Sequence, residues 1–306
     1  MMKNISVIIL TFNEEIHLER CLTNISKISN SLFIIDSFST DKTIEIAKKF
    51  NTKIFQNKFI NQAQQLQWAI NNCDIQTEWI IRIDADEYFT LELINEVKER
   101  LTGLNSNING VILKRRHYFL DRWIRHGDRY PLYILRIWRN GKATVEQKWM
   151  DEHIILLEGE SIIFKNDFID HNLNNLSWFI DKHNKYATRE AIELLINESR
   201  REPNGLFTDL KKSISNSSYR NRFFKSFFYK NKLLLIRSCI YFFYRYFFLL
   251  GFLDGKEGLI YHFLQGFWYR FLVDSKIVEI KHIASRKKIS IEEAIIEVTG
   301  YKDFKV

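Results

Sequence analysis

Apolar residues open the chain in short unbroken runs, each followed by a polar cluster. Ile5 to Leu10, Leu32 to Asp36 and Trp79 to Ile83 are such runs, rich in β-branched residues and without alternation. That pattern predicts strands covered on both faces. Between them the apolar spacing lengthens to three and four. Ile16, Leu18, Leu22 and Ile25 predict one helix, Ile44, Ala47 and Phe50 a second starting near Thr40-Asp41, and Ala63, Leu66 and Ile70 a third. A short strand is expected near Lys53 to Phe55, and Leu91, Ile94, Val97 and Leu101 mark a further helix.

This order predicts an α/β fold with a mainly parallel, Rossmann-like sheet flanked by helices. Ligands of such sheets sit beyond the carboxyl ends of the strands. The polar residues collect there: Thr11, Asn13 and Glu14 after the first run, Asp36 after the second, Asp84 and Asp86 after the third. Further on, Val111 to Lys114 and Tyr133 to Trp138 read as strands, and Ser177 to about Ser199 as a helix. Residues 1–200 are expected to form the catalytic domain. Residues 201–306 are expected to form a helical, aromatic and basic extension.

Charge sharpens the picture of that extension. The net charge is +8. From Leu210 to Leu253 there is no acid, yet nine Lys and Arg residues occur, from Lys211 to Arg245. Lys232 to Gly251 is dense in Phe and Tyr but interrupted by Arg237 and Arg245. A span needs about 20 apolar residues with few charges, and each arginine near the bilayer centre costs roughly 2.5–3.5 kcal/mol. The favoured expectation is a helix lying on a membrane surface, arginines reaching headgroups. A core helix with arginines at its rim, and a true span, are the alternatives. Three scattered cysteines form no disulfide or zinc pattern, which fits a reducing cytoplasm. No secretory leader is expected, because Ile5 to Leu10 is too short for one.

The chemistry centres on Asp84-Ala85-Asp86. Two carboxylates at i and i+2 beyond a buried strand repel each other unless a cation lies between them. Their hard oxygens suit Mg²⁺ or Mn²⁺ bound together with substrate phosphates. A solvated turn or a helix cap is the bland alternative for this triplet and for the Thr11–Glu14 loop.

These segments carry a resemblance. Ser6-Val-Ile-Ile-Leu-Thr-Phe-Asn-Glu14, Ile35-Asp-Ser-Phe-Ser-Thr-Asp41 and Ile83-Asp-Ala-Asp-Glu87 resemble the family 2 glycosyltransferases of GT-A fold. Arg122-Trp-Ile-Arg-His-Gly127, Tyr130 to Arg139 and Gly251-Phe-Leu-Asp-Gly-Lys-Glu-Gly258 resemble its bacterial branch for lipopolysaccharide core and exopolysaccharide. The resemblance implies inverting transfer from a nucleotide sugar, with Thr11, Asn13, Glu14 and Asp36 around the nucleoside. Asp86 is implied as the direct metal ligand, and Asp84 as a contact to ribose or to metal-bound water. Of His126, His153 and His171, His171 is the candidate third ligand. Glu152 in Met150-Asp-Glu-His153 matches the family's acceptor-side glutamate and is the expected base, with Asp151 in reserve.

Two departures stand out. Ser37 occupies the place of a second acid, and Leu66 that of a basic residue able to meet the diphosphate. Arg82, Arg129 or Arg136 is expected to supply the missing charge. The expected partners are a nucleotide-sugar donor, a UDP-sugar first, a lipid-linked saccharide acceptor and a membrane surface, with no nucleic acid. The expected location is the cytoplasmic face of the bacterial inner membrane. The rival readings are transfer to polyprenyl phosphate, or a non-catalytic basic protein that binds nucleic acid or lipid.

Overall fold

The structure, a computed structural model, describes residues 4–146, 153–199 and 235–301. The chain divides into two compact units. Met1–Arg125 and Arg129–Leu173 form the first, His126–Asp128 and Asn174–Val306 the second. The expected boundary at residue 200 lies outside the described residues.

In the first unit, β1 (Ile5–Thr11), β2 (Ser31–Asp36), β3 (Lys53–Gln56) and β4 (Trp79–Asp84) run parallel in the order β3-β2-β1-β4. Helices α1 (Leu18–Ile25), α2 (Thr43–Lys48) and α3 (Gln62–Asn72) connect them. The unbroken apolar runs are explained by two cores, one on each face. Val7 and Ile9 pack with Leu18 and Leu22 of α1 on one side. Ile8 and Phe33 pack with Ala63 and Leu66 of α3 on the other. Each such side chain, fully buried, contributes about 1.5–3 kcal/mol of apolar transfer energy. Ile16, expected on a helix face, instead precedes α1 and is exposed.

Beyond β4 the sheet becomes mixed. A short β5 (Glu87–Phe89) and α4 (Leu91–Arg100) lead to β6 (Ile108–Phe119), β7 (Arg122–Ile124) and β8 (Leu132–Arg139). β8 enters antiparallel between β4 and β6. A separate two-stranded ribbon joins β9 (Ala143–Val145) to β10 (Ile154–Leu156). The long β11 (Glu160–His171) pairs parallel to β6 and antiparallel to β5. Its register shifts between Ile163 and Asp167. There the buried Glu96 carboxylate accepts hydrogen bonds from the Lys165 and Asn166 backbone N–H groups, at 3.0 and 2.9 Å. Burial alone would raise this carboxyl's pKa, but the two backbone N–H groups, Arg100 and the Asn166 side chain hold it below its ordinary value.

The second unit is helical among the described residues. α5 (Leu176–Ser199) packs on α8 (Tyr269–Lys287), and Glu190 accepts from the Tyr269 hydroxyl at 2.5 Å and from Arg270 at 2.6 Å. α6 (Ile236–Phe243) runs into a π turn, Tyr244–Phe248. α7 (Gly255–His262) reaches α8 through a second π turn, Phe263–Trp268, and α9 (Ile291–Thr299) starts at a Ser290–Glu293 capping box.

The Gly251–Gly258 motif has a packing explanation here. Asp254 accepts from the His126 backbone N–H at 2.9 Å, and its other oxygen lies 2.6 Å from the His126 ring Nδ1. Arg245 Nε donates to the Gly127 carbonyl, while Gly127 N–H donates to Leu249 O, both at 2.8 Å. Gly127 has φ +66°, and a Cβ there would overlap the His262 ring. The sequence expectation of outward-reaching arginines is corrected. Arg245 is 3% exposed, and Arg237 pairs with the buried Asp274.

No single helix among the described residues is long and apolar enough to cross a membrane. Ile236–Phe248 and Gly251–Lys287 pass that test only together, as a pair bent by 73°.

Candidate active site

The carboxyl ends of β1, β2 and β4 bring most of the expected residues to one edge of the first unit. Two loops are laced together there. Thr11 Oγ1 donates to Asp36 Oδ1 at 3.0 Å, and Asp36 also accepts from the Ser39 N–H and hydroxyl at 2.8 and 2.5 Å. Asn13 sits in the left-handed region at φ +55°. Its N–H donates to Ser39 Oγ, and its Oδ1 accepts from Thr40 N, both at 2.8 Å. Glu14 takes Thr43 Oγ1 at its backbone N–H and holds the His17 ring at 2.6 Å. Asp36 is fully buried and Thr11 nearly so. These residues therefore build the shelf, Thr11 bonding Asp36 while Asn13 and Glu14 hold Thr40 and His17. The groups the shelf displays are Phe12 and Phe38, each more than half exposed. Sequence reading passed over both, although a large apolar residue amid polar loop residues was the available signal.

Ser37 and Leu66 have different surroundings. Gln65 Nε2 donates to Ser37 Oγ at 3.1 Å and to Asn57 O at 3.2 Å, so a neutral pair occupies this corner. Leu66 faces the core and is fully buried. Two arginines, one on β4 and one on β8, lie beside Asp84. Arg82 lies 3.5 Å from Asp84 Oδ1 and Arg136 lies 3.6 Å from Asp84 Oδ2. Both arginines are buried. The half-buried His117 is held below its ordinary pKa, and Arg129 adds a little to that. Burial is the main cause of that lowering, and Asp170 acts against it.

Asp84, Asp86 and Glu87 crowd the turn after β4. Glu87 is 2% exposed, accepts from the Asp84 N–H at 2.9 Å and pairs with Arg136 at 2.5 Å. The Glu87 carboxyl is pushed up to about 8, chiefly by burial. Arg136 pulls it down, and Asp84, Asp170 and Asp86 push it further up. The Cys21 thiol, beside the Asp84 carbonyl, is raised by burial and then by Glu87, Asp86 and Asp84, with Arg20 acting against them. Burial is thus the main cause of both shifts, and the neighbouring acids add to it.

Asp86 is braced from β11. Its carboxylate accepts from Asn172 Nδ2 at 2.9 Å, and its carbonyl accepts from the His171 N–H at 3.1 Å and Arg20 at 3.2 Å. The His171 ring lies between Asp121, 2.8 Å from Nε2, and Arg20, 3.3 Å from Nδ1. It is not brought together with Asp84 and Asp86, and no group of three His, Cys, Asp or Glu side chains converges as a ligand set among the described residues. Mg²⁺ commonly uses one or two carboxylates and completes its shell with phosphate oxygens and water. Asp84 and Asp86 fit that demand. Arg20 and Asn172 were missed from sequence because each reaches the turn through folding, and Glu87 because its partner Arg136 is remote in sequence. Glu152 and Asp151 lie outside the described residues.

A sheet with polar loops at its carboxyl edge and an Asp-Ala-Asp turn beyond β4 defines a class, and comparison with known proteins gives the family. The model of "Glycosyl transferase family 2" matches residues 6–195. The chain belongs to that family. An uncharacterized glycosyltransferase of Rickettsia bellii (strain RML369-C) is 34% identical over 105 residues, covering 34% of this chain and 35% of its own. Another, from Rickettsia typhi, is 33% identical over 97 residues, covering 32% of each chain. The match thus spans about a third of these relatives' length. Among solved structures, S. aureus TarS in complex with UDP-GlcNAc aligns over 94% of this chain and 93% of its own, at 13% identity and a TM-score of 0.46. Glucosyl-3-phosphoglycerate synthase from Mycobacterium tuberculosis, in complex with Mn²⁺, UDP and glucosyl-3-phosphoglycerate, aligns over 38% and 44%, at 22% identity and a TM-score of 0.31.

Proposed function

We propose that this family 2 glycosyltransferase is an inverting, divalent-metal-dependent enzyme. It moves a hexosyl or heptosyl group from a UDP-sugar to a lipid-linked saccharide in lipopolysaccharide or exopolysaccharide assembly, working at the cytoplasmic face of the bacterial inner membrane. The observation that carries the donor half is the crowding of Asp84, Asp86 and Glu87 at the sheet edge beside two buried arginines. Asp86 and Asp84 would hold Mg²⁺ or Mn²⁺, and the bound ion offsets charge on the departing diphosphate. His171 and Arg20 keep the Asp86 turn in place through its carbonyl. The shelf ordered by Thr11, Asn13, Glu14 and Asp36 carries the nucleoside, with Phe12 and Phe38 offering rings to the base. Arg82 and Arg136 supply positive charge near the diphosphate. Glu152, with Asp151 in reserve, removes the proton from the acceptor hydroxyl, which attacks the anomeric carbon from the face opposite the nucleotide.

The test is a thermal-shift panel of UDP-, GDP-, ADP- and CMP-sugars with and without Mn²⁺. A ligand that binds the native state raises the melting temperature, and a UDP-sugar with Mn²⁺ should raise it most. Asp86→Ala should remove the Mn²⁺-dependent part of the shift. A shift that survives Asp86→Ala intact would overturn the ligand assignment. Glu152→Gln should lower turnover by about 10²–10⁴-fold with donor binding kept. A nearly silent Glu152→Gln would point to a phosphate acceptor that needs no base.

A further inference from the structure

A helix of a water-soluble unit hides its apolar stripe and shows its charges. The α6 segment does the reverse. Ile236, Ile240, Phe243 and Phe247 follow one another at helical spacing, and all are exposed, between 46% and 56%. Phe248 is 77% exposed, and Phe252 and Leu253 extend the apolar surface past the bend. The charges of this stretch point inward. Arg237 and the Leu235 backbone N–H are held by Asp274, which is 1% exposed. Arg245 donates to the Gly127 carbonyl, and Asp254 is occupied by the His126 backbone and ring. Charged residues inside a bilayer behave in this way: they face the protein interior and pair with each other or with backbone carbonyls.

We infer that α6, its π turn and the bend at Gly251 form a wedge that inserts its phenylalanine face into one leaflet of an anionic membrane. This deepens the membrane partner proposed above and rests on that reading. Eight helical residues and a five-residue π turn rise only about 20 Å, short of the roughly 30 Å hydrocarbon core. The 73° bend turns the following helix aside, so the two do not continue as one straight span. Seven basic residues and no acid lie between Leu210 and Leu235 in the sequence, immediately before the wedge. That charge complements anionic headgroups and would repel a second copy of the chain.

The test uses the full chain and vesicles of phosphatidylcholine and phosphatidylglycerol in equal parts. Wild type should co-sediment, and a fraction should resist a high-salt wash, because apolar insertion is not screened as charge attraction is. The Phe243→Ser/Phe247→Ser/Phe248→Ser triple variant should lose that fraction by about tenfold or more, while keeping its UDP and Mn²⁺ thermal shift. A Phe247→Trp variant should be quenched by brominated acyl chains. Triple-variant binding equal to wild type, or an unquenched Phe247→Trp, would overturn the wedge. So would a wild-type dimer in sedimentation that the triple variant breaks without any vesicle binding. Loss of the nucleotide shift in wild type would instead strike the transferase reading and leave the wedge standing.

Discussion

The sheet of the first unit and the α6 stretch of the second treat apolar side chains in opposite ways. In the first, Val7 and Ile9 are sealed on one face of the sheet and Ile8, Phe33 and Ile80 on the other, while Asp84 and Asp86 lie at its carboxyl edge. In the second, Asp254, Asp274, Arg245 and His262 are inside, while Phe243, Phe247 and Phe248 are outside. Water is the solvent that explains the first arrangement. The second is the arrangement that the proposed membrane wedge requires. Composition alone does not separate them, because both regions are rich in apolar residues. What separates them is which side of the element carries the charge.

The sharpest way to break this contrast is one deletion in each unit. Phe33→Ala removes a fully buried ring from the first core and should cost about 3–5 kcal/mol. Asp274→Ala removes no apolar packing yet strands the Arg237 guanidinium, and should cost a similar 3–5 kcal/mol or so. Native-state hydrogen exchange would locate each loss. Phe33→Ala should speed exchange in β1 and β2, and Asp274→Ala in α6 and α8. A cost under about 1 kcal/mol for Asp274→Ala would mean that Arg237 finds other partners and that the inward charges do not hold the second unit together.

The next effect, smaller, lies where the first unit bends. Glu96→Ala leaves two backbone N–H groups of the β11 bulge without their acceptor and should cost about 1–3 kcal/mol near neutral pH. The sign follows from the lowered pKa of Glu96 in the folded protein. Its ionic contribution is complete above the unfolded value of about 4.3 and disappears as pH falls through the folded value. The gap between wild type and variant in urea melts should therefore narrow in acid. A gap independent of pH would assign the effect to packing.

The same bulge explains a limit of sequence reading. β1, β2 and β4 were legible because each is an unbroken apolar run ending in polar residues. β11 was not, because Lys165-Asn166 interrupts its pattern where the strand changes register. Asp84 and Asp86 were legible from their place after β4. Glu87 looks like an ordinary strand residue until Arg136, 49 positions later, is folded against it. Arg20 and Asn172 reach the Asp86 turn the same way. In the second unit, the spacing of Arg237 and Arg245 was visible, but their direction was not. It depends on Asp274 and on the Gly127 carbonyl, both remote in sequence.

The smallest expected effect tests the contrast most finely. Phe248→Ser in water should change stability by no more than about 0.5 kcal/mol, because a side chain 77% exposed has little packing to lose. The same substitution type at Phe33 would be ruinous, so equal chemistry should give unequal results in the two units. Bound to anionic vesicles, the order should reverse for Phe248. Wild type should gain thermal stability from the lipid by mass action, since the native state is the one that binds, and Phe248→Ser should gain less. If Phe248→Ser is destabilising in water, its ring covers something within the protein, and the outward face of α6 is ordinary packing after all.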